Sequence, residues 1–401
     1  MSDIQDTDHD SLVPIGARAI TKVSAQLVRR GLEFLAARDD RIIHFPTDRG
    51  IGVVYFRDPA GQFQTVAASG DVQIPRNTKW ALEIREADLS VLSSISLDDL
   101  YCLRLGYGVE WFPRLSLGYS QWEFLKHAKD IEILDALWTN ISDTDLVFIQ
   151  GMMSLRQLDL TNTEISDAGL ALIQGLTSLK KLRLSKTNVT DLGLSYLAER
   201  LLLQELILAG TSITDAGLEN LQGLFSLEKL DLSSTKIGDG GLRCLKRLTP
   251  MRELRLALTR ISDAGLATLQ GFNHLTLLDL TGLDISDHGI ANLAGLTTLK
   301  TLAISGPRIT DEGLAYLKEL TSLEGLFLGM TNVTDLGLSS IQEMRNLKTL
   351  FLRETKITDV GVDFLRNLTS LENLDITMTR ISEEGKAKLR SWFPDCNIRD
   401  S

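Results

Sequence analysis

Residues 211–218 read Thr-Ser-Ile-Thr-Asp-Ala-Gly-Leu, and close variants of this stretch recur every 24 residues along the chain. The common pattern is Thr-x-(Ile/Val)-(Ser/Thr)-Asp-x-Gly-Leu, and its eleven copies begin at Thr139, Thr163, Thr187, Thr211, Thr235, Thr259, Leu283, Pro307, Thr331, Thr355 and Thr379. A fixed period without insertions is typical of a solenoid, in which each unit buries its apolar face only by stacking on its neighbours. The sequence therefore predicts one long repeat domain over residues 131–401.

Apolar residues follow a shorter pattern inside each repeat. Counting from the threonine as position 0, leucine or a close substitute returns at +7, +10, +13, +16, +19 and +21, as in Leu170, Ile173, Leu176, Leu179, Leu182 and Leu184. Steps of three place side chains on one side of a short helix, whereas a step of two is the alternation of a strand. Each repeat is therefore predicted to form a helix and then a strand, and successive strands should pair in parallel about 4.8 Å apart.

Polar and small residues also form columns in the repeats. Aspartate occupies +4 in ten repeats, from Asp143 to Asp359, and Glu383 replaces it in the last. A column of carboxylates could hold metal ions, but an aspartate before a helix can also accept hydrogen bonds from first-turn amides, so we predict helix capping and no metal. Glycine at +6 is predicted to leave room for contact between coils, and the threonine hydroxyl to bond backbone groups of its turn.

Two adjacent repeats break the threonine column, at Leu283 and Pro307. Leucine has no hydroxyl and proline has no N–H, and each follows a glycine, Gly282 and Gly306. We therefore expect a local weak point in the stack at these two turns.

The repeat resembles that of leucine-rich repeat proteins, and Ile213–Leu218 is similar to the cysteine-containing subclass found in F-box adaptors and many bacterial homologues. That subclass carries cysteine or asparagine at the ladder position, where this chain has threonine. The resemblance covers residues 131–401. It implies an α/β fold, a right-handed solenoid with a parallel sheet on its concave face and short helices on its convex face. It also implies recognition of another macromolecule, usually on the concave face.

The remaining sequence is predicted to close the two ends of the solenoid. Residues 1–14 are acidic and predicted to be disordered, and residues 15–40 are predicted to form an amphipathic helix. Residues 41–130 are predicted to be a β-rich amino-terminal cap that contains a degenerate first repeat, and residues 386–401 a carboxy-terminal cap. The segment 107–124 is rich in aromatic residues, which would either fill the cap or form an exposed interface.

Composition narrows the function. The chain has 401 residues, is 43% hydrophobic and carries a net charge of −11, which disfavours binding to nucleic acid. No apolar run is long enough to span a membrane, and no signal peptide is evident. Three widely spaced cysteines suggest neither a disulfide framework nor a metal site, and a cytoplasmic location is expected. Because catalytic, nucleotide-binding and metal-ligand motifs are missing, we predict a protein that is not an enzyme and needs no cofactor.

The outward strand position, +20, indicates where a partner would bind. It is mostly charged in the early repeats, but two neighbouring phenylalanines occupy it late in the chain. Exposed aromatic side chains beside small residues and an arginine are favoured at interface hot spots. The predicted partner-binding residues are Phe327, Phe351, Arg353, Ala303, Met330 and Ile207.

Two functions agree with this pattern, and a third, catalysis by the amino-terminal region, would need a polar pocket within residues 41–130. The first is an interaction scaffold that binds a protein partner on the concave face. The second is an F-box-like substrate adaptor of a ubiquitin ligase, or a bacterial effector that acts on host proteins. Residues 97–104, which read Leu-Asp-Asp-Leu-Tyr-Cys-Leu-Arg, resemble the middle of an F-box. A three-helix fold over residues 85–125 would favour the adaptor, and a strand-helix repeat there would favour the scaffold.

Overall fold

The computed structural model describes residues 41–47, 50–58, 60–75, 78–84, 92, 95, 97–105 and 122–400. The predicted acidic tail, 1–14, and amphipathic helix, 15–40, lie outside these residues. Within them the strands are β1 Arg41–His44, β2 Gly52–Arg57, β3 Phe63–Ala67, β4 Asp71–Ile74, β5 Trp80–Ile84, β6 Leu100–Leu105, β7 Ile133–Asp135, β8 Gln157–Asp159, β9 Lys181–Arg183, β10 Glu205–Ile207, β11 Lys229–Asp231, β12 Glu253–Arg255, β13 Leu277–Leu280, β14 Thr301–Ile304, β15 Gly325–Phe327, β16 Thr349–Phe351, β17 Asn373–Asp375 and β18 Asn397–Arg399.

One long sheet runs through the molecule. From β5 to β18 each strand pairs in parallel with the next, and β2 and β3 continue the sheet antiparallel at its amino-terminal end. In the repeats the register joins residues 24 apart, as in the pairing of Leu206 with Leu230. The predicted parallel stack of helix-strand units is confirmed.

Short helices alternate with the strands of the repeats. The α-helices are Asp167–Ile173, Asp191–Ser195, Asp215–Leu218, Asp239–Cys244, Asp263–Leu266, Asp287–Ile290, Asp311–Tyr316, Asp335–Leu338, Asp359–Leu365 and Glu383–Trp392. Turns of 3-10 helix occur at Glu123–His127, Asp143–Phe148, Glu219–Leu221, Leu245–Arg247, Ala267–Gly271 and Ala291–Leu293. The leucines of helix and strand lie between the two layers in one continuous core, where Leu218 and Leu230 are fully buried. Each coil therefore buries its apolar face against its neighbours, as the period requires.

The prediction that the aspartate column caps the helices is wrong. The capping residue is the serine or threonine at +3, whose hydroxyl accepts a hydrogen bond from a first-turn amide; Thr190 accepts from Leu192 at 3.4 Å. The aspartate is the first residue of the helix, and its carboxylate binds the next coil. Asp167 Oδ1 accepts the backbone N–H of Thr190 at 2.8 Å, and its Oδ2 accepts the Thr190 hydroxyl at 2.6 Å.

This bond between coils repeats along the stack. In ten consecutive pairs of coils the aspartate Oδ1 accepts an N–H at 2.6–2.8 Å, with donors Ser166, Thr190, Thr214, Gly238, Ser262, Ser286, Thr310, Thr334, Thr358 and Ser382. The glycine column makes room for it. A Cβ on Gly193 would lie 2.4 Å from Asp167 Oδ1, and the other glycines at +6 are placed similarly. The carboxylate therefore bonds the neighbouring coil, and the glycine leaves the space that this bond needs.

The threonine at position 0 acts within its own coil, as predicted. Thr211 Oγ1 donates to the carbonyl of Leu208 at 2.6 Å, and Thr355 bonds Leu352 in the same way. These threonine side chains are buried, so this hydrogen bond replaces the one to water that each hydroxyl loses on folding.

The amino-terminal end is a β-rich cap, as predicted. Strands β1 and β4 form a separate antiparallel pair, while β5 and β6 lead directly into the repeats. Leu103 pairs with Leu134 although they are 31 residues apart, so the longer connection leaves the register of the sheet intact. Trp122 and Phe124, the described aromatic residues of segment 107–124, are buried, which agrees with filling of the cap.

The carboxy-terminal end is formed by the last helix and strand β18, which pairs with β17. Phe393 is buried at this end, and the half-buried Trp392 packs against the core. The cationic groups of Arg366 and Lys388 lie 5.7 and 4.9 Å from the Trp392 ring, so its outer face is also covered.

Candidate partner-binding face

The strand face of the first coils is charged and internally paired. Arg183 on β9 lies between two acidic side chains, with Nε 2.7 Å from Glu205 Oε1 and Nη1 3.6 Å from Asp159 Oδ2. On β11 and β12, Lys229 and Arg255 both contact Glu253, at 3.4 and 3.3 Å. Charges that already have partners on their own sheet offer little to a second protein, since those ion pairs would have to be broken or desolvated.

One carboxyl on this face has an unusual environment. Burial, followed by repulsion from Asp159, raises the pKa of Asp135 to about 7, against smaller opposing effects from the Leu137 amide, Arg104 and Arg183. Its Oδ1 accepts the Leu137 N–H at 3.2 Å. Asp135 therefore changes charge close to neutral pH.

The strand face changes character from β14 to β16. At +20 these strands carry Ala303, Phe327 and Phe351, which are register partners across the sheet and are each half-buried. The two phenyl rings meet edge to face, with centroids 4.8 Å apart and planes at 77°. Gly325 lies beneath the first ring, since a Cβ there would be 3.3 Å from Phe327 Cε2. We name Ala303, Phe327 and Phe351 the aromatic patch.

The other predicted site residues lie at different distances from the patch. Met330 follows β15 in a left-handed turn, with φ of 60°, and is 55% exposed. Arg353 is exposed beside Phe351, but its Nε donates to Glu354 Oε1 at 3.0 Å, so its charge is partly balanced. Ile207 is half-buried on β10, five strands from Phe327 and thus about 24 Å away. It lies among the charged strands and is not part of the patch.

A second methionine, which the sequence analysis did not select, resembles Met330. Met378 occupies the equivalent position after β17, with φ of 56° and 67% exposure. The signal was an apolar residue at position +23, where Lys186, Ser234 and Glu354 are polar. The turn points this residue away from the core, which the alternation of the strand alone does not predict.

The described residues contain little that suggests chemistry. Among them no group of three or more His, Cys, Asp or Glu side chains is arranged to hold a metal ion. Cys102, Cys244 and Cys396 are free thiols, and burial raises the pKa of Cys102 to about 12, which makes it a poor nucleophile. Over the same residues, the helices are too short or too polar to cross a lipid bilayer.

A family model described as leucine rich repeat matches residues 151–173, 175–198, 223–246 and 295–318. The chain folds as a leucine-rich repeat solenoid. Among solved structures it is similar to an internalin from Listeria monocytogenes, with 22% identity and a TM-score of 0.54 over 71% of this chain and 89% of that one. At this identity the similarity concerns the fold alone. The comparison with curated proteins found no match.

Two more solved structures match this chain with lower TM-scores. Internalin C2 from Listeria monocytogenes is 28% identical, with a TM-score of 0.42 over 54% of this chain and 84% of that one. The plant peptide hormone receptor RGFR1, in complex with RGF2, is 15% identical, with a TM-score of 0.42 over 66% of this chain and 46% of that one. Leucine-rich repeat proteins generally act in protein-protein interaction. The cysteine-containing subclass stays a prediction.

The residues that resemble an F-box form part of the sheet. Leu100–Leu105 is strand β6, which pairs in parallel with β5 and β7. Leu97, Leu100 and Leu103 are buried in the common core. In the described part of segment 85–125 these residues therefore act as a lead-in repeat, which favours the scaffold over the adaptor.

Proposed function

We propose that this protein is a non-enzymatic interaction scaffold whose concave strand face binds a protein partner at the aromatic patch. The observation that supports this most is the edge-to-face contact of Phe327 and Phe351, half-buried on a face whose other outward residues are mostly charged. Met330 and Arg353 lie beside the patch, and the predicted partner covers them too.

The pair could instead only stabilise the fold. Edge-to-face contact contributes about 0.5–1.5 kcal/mol beyond area burial, so a structural role alone is conceivable. However, the fold does not need an aromatic pair at this position, because the coils that carry Asp231 or Asp279 there stack with the same register. Two aromatic rings that retain water contact gain further when a partner removes that water. The position of the pair therefore favours binding.

Affinity capture followed by mass spectrometry tests the proposal. The full chain, immobilised and exposed to a lysate of its source cells, is expected to retain a partner, and Phe327→Ser with Phe351→Ser should abolish that retention. Because the rings lie on the surface of the sheet, circular dichroism and melting should change little.

The matched control is Leu336→Ser with Val360→Ser. These are also adjacent exposed apolar residues, 69% and 67% exposed, but they lie on the helix side of the solenoid. The control variant should keep the partner. If the patch variant retains the partner and the control loses it, the binding face is on the helices and the proposal is wrong.

We also propose that the protein functions in the cytoplasm. The motivation is chemical: its three cysteines are free thiols, and free thiols persist in reducing compartments. Fractionation of source cells with an antibody to the chain tests this, and recovery outside the cytosol would contradict it.

A further inference from the structure

A second apolar surface lies at the turns between helix and strand, in the coils that begin at Thr187 and Thr211. Leu201, Leu202 and Phe225 are 61%, 54% and 53% exposed. Leu201 and Phe225 occupy the same position, +14, in adjacent coils, and the Ser226 hydroxyl donates to the Leu201 carbonyl at 2.6 Å, which joins the two turns. We name Leu201, Leu202 and Phe225 the rim patch.

Most other coils are polar at +14, where they carry Thr177, Thr249, Asn273, Thr297, Thr321, Arg345 and Thr369. The first coil carries the exposed Met153 there and the last the buried Phe393, but neither has an exposed apolar residue at +14 in the adjacent coil. The coil that begins at Thr187 also differs at +13, where it carries Arg200 and the neighbouring coils carry the buried Leu176 and Leu224. Burial lowers the pKa of the half-buried Arg200, with a smaller opposing effect from Glu199. The coil thus places leucines in water and an arginine near the core, an arrangement that gives the isolated protein no evident stability.

Cationic side chains border the rim patch. Arg243, Lys246 and Arg247 are exposed, and the Arg247 guanidinium carbon lies 5.9 Å from the Phe225 ring centroid. Within the part of the chain that the structure describes, none of these three forms an ion pair. The exposed acidic residues on the coils that begin at Thr187, Thr211 and Thr235 are Glu199 and Glu219, and the other carboxylates of these coils are half-buried or buried. In a chain of net charge −11 this concentration of unpaired cations is unusual.

We propose that the rim patch docks an acidic segment of a partner protein that carries apolar side chains. The apolar side chains would cover Leu201, Leu202 and Phe225, and the acidic groups would face Arg247 and its neighbours. This surface lies at the turns four residues before the strands and at least three coils away from the aromatic patch. It therefore does not depend on the proposed function of the concave face.

The test uses the full chain and a displayed library of random peptides of about twelve residues. The reference variant is Leu201→Thr, Leu202→Ser and Phe225→Thr, which installs the residue types that Thr177 and Ser178 show in another coil. Because those side chains are natural at these turns, the variant is expected to keep its circular dichroism and melting temperature. Peptides are selected on the wild type after depletion on this variant.

The selected peptides should be acidic and contain aromatic or aliphatic residues. We expect their affinity to fall at least about tenfold in the reference variant and in Lys246→Glu with Arg247→Glu, and to weaken as salt rises. Phe327→Ser with Phe351→Ser should leave it unchanged.

Three results would overturn this inference: no enrichment over the reference variant, enrichment of neutral or basic peptides, or loss of binding in the aromatic-patch variant alone. A dimer of the wild type in sedimentation equilibrium that the reference variant abolishes would also overturn it, because the occupant would then be a second copy.

Discussion

At the scale of single residues, three columns of the repeat act together. The aspartate of one coil accepts the N–H and hydroxyl of the serine or threonine in the next, and the glycine beside that residue leaves space for the carboxylate. The first coil supports this account, because no aspartate precedes it. There Asp145 replaces the glycine, and its Oδ2 accepts the N–H and hydroxyl of Ser142 from the same coil, at 2.9 and 2.7 Å.

Two aspartates should differ in their contribution to stability. Asp191 accepts both the N–H and the hydroxyl of Thr214, whereas Asp215 accepts only the N–H of Gly238, which has no hydroxyl. Asp191→Ala should therefore lower the free energy of unfolding by about 3 kcal/mol and Asp215→Ala by about 1.5 kcal/mol. Urea unfolding of both variants measures this, and equal losses would contradict the inter-coil role.

Adding the missing hydroxyl should stabilise the chain. Gly238 has ordinary extended φ of −123°, and a Cβ there would lie 3.6 Å or more from its neighbours. Gly238→Ser should raise the free energy of unfolding by about 1 kcal/mol, by capping the helix and bonding Asp215. The control is Gly241→Ala, which should destabilise because its Cβ would lie 2.7 Å from Asp215 Oδ1. Stabilisation by both changes would show that only chain entropy matters.

Asp135 should make stability depend on pH in the direction opposite to most carboxylates. Its folded pKa of about 7 exceeds the unfolded value of about 3.9, so its contribution falls as pH rises from about 4 to about 7. Asp135→Asn should therefore melt above the wild type at pH 8, and the difference should disappear or reverse near pH 4. A difference in melting temperature that is constant with pH would contradict this.

At the scale of elements, two features support the stack near the break in the threonine column. Sequence analysis predicts a weak point at Leu283 and Pro307, but β13 and β14 pair over four residues there, one more than the neighbouring parallel pairs. The buried Ser305 hydroxyl also accepts the Gly282 N–H at 2.8 Å, in place of the carbonyl that serves this turn in other coils. The buried Ser305 side chain and the longer pairing of β13 with β14 together support this turn.

Removing that hydroxyl should expose the weakness. In the wild type we expect the Gly282 amide to exchange with solvent about as slowly as the Gly210 amide, which bonds the Ser233 carbonyl. Ser305→Ala leaves the Gly282 N–H without its acceptor and should accelerate exchange there, with Gly210 as the internal reference. If the Gly282 amide already exchanged fast in the wild type, the weak point that the sequence predicts would be present there.

At the scale of the whole molecule, the period was sufficient to predict the stack and the contact between the two phenylalanines. A constant step of 24 residues places Phe327 and Phe351 at the same height in adjacent coils, and strand alternation turns both outward. The role of the aspartates was not predictable in this way. An aspartate at the start of a helix could either cap that helix or bond the next coil, and the sequence is the same in both cases. Only the relative positions of the two coils distinguish these roles.

The site was predictable in part for a related reason. Ring contact follows from strand geometry, which is regular, whereas the edge of the patch depends on the turns after the strands. There Met378 takes a left-handed conformation and becomes exposed, and Arg353 bonds its neighbour Glu354. Neither outcome is determined by the spacing of leucines.

The central claim is that a partner covers the strand face at the aromatic patch, and methionine oxidation tests it most directly. Met330 beside the patch and Met153 in the first coil are similarly exposed, at 55% and 58%, so peroxide should oxidise both in the free chain. Mass spectrometry then follows the two sulfoxides with the captured partner bound. The account predicts that Met330 is protected while Met153 oxidises at its free rate. Protection of Met153 with unchanged oxidation of Met330 would contradict it.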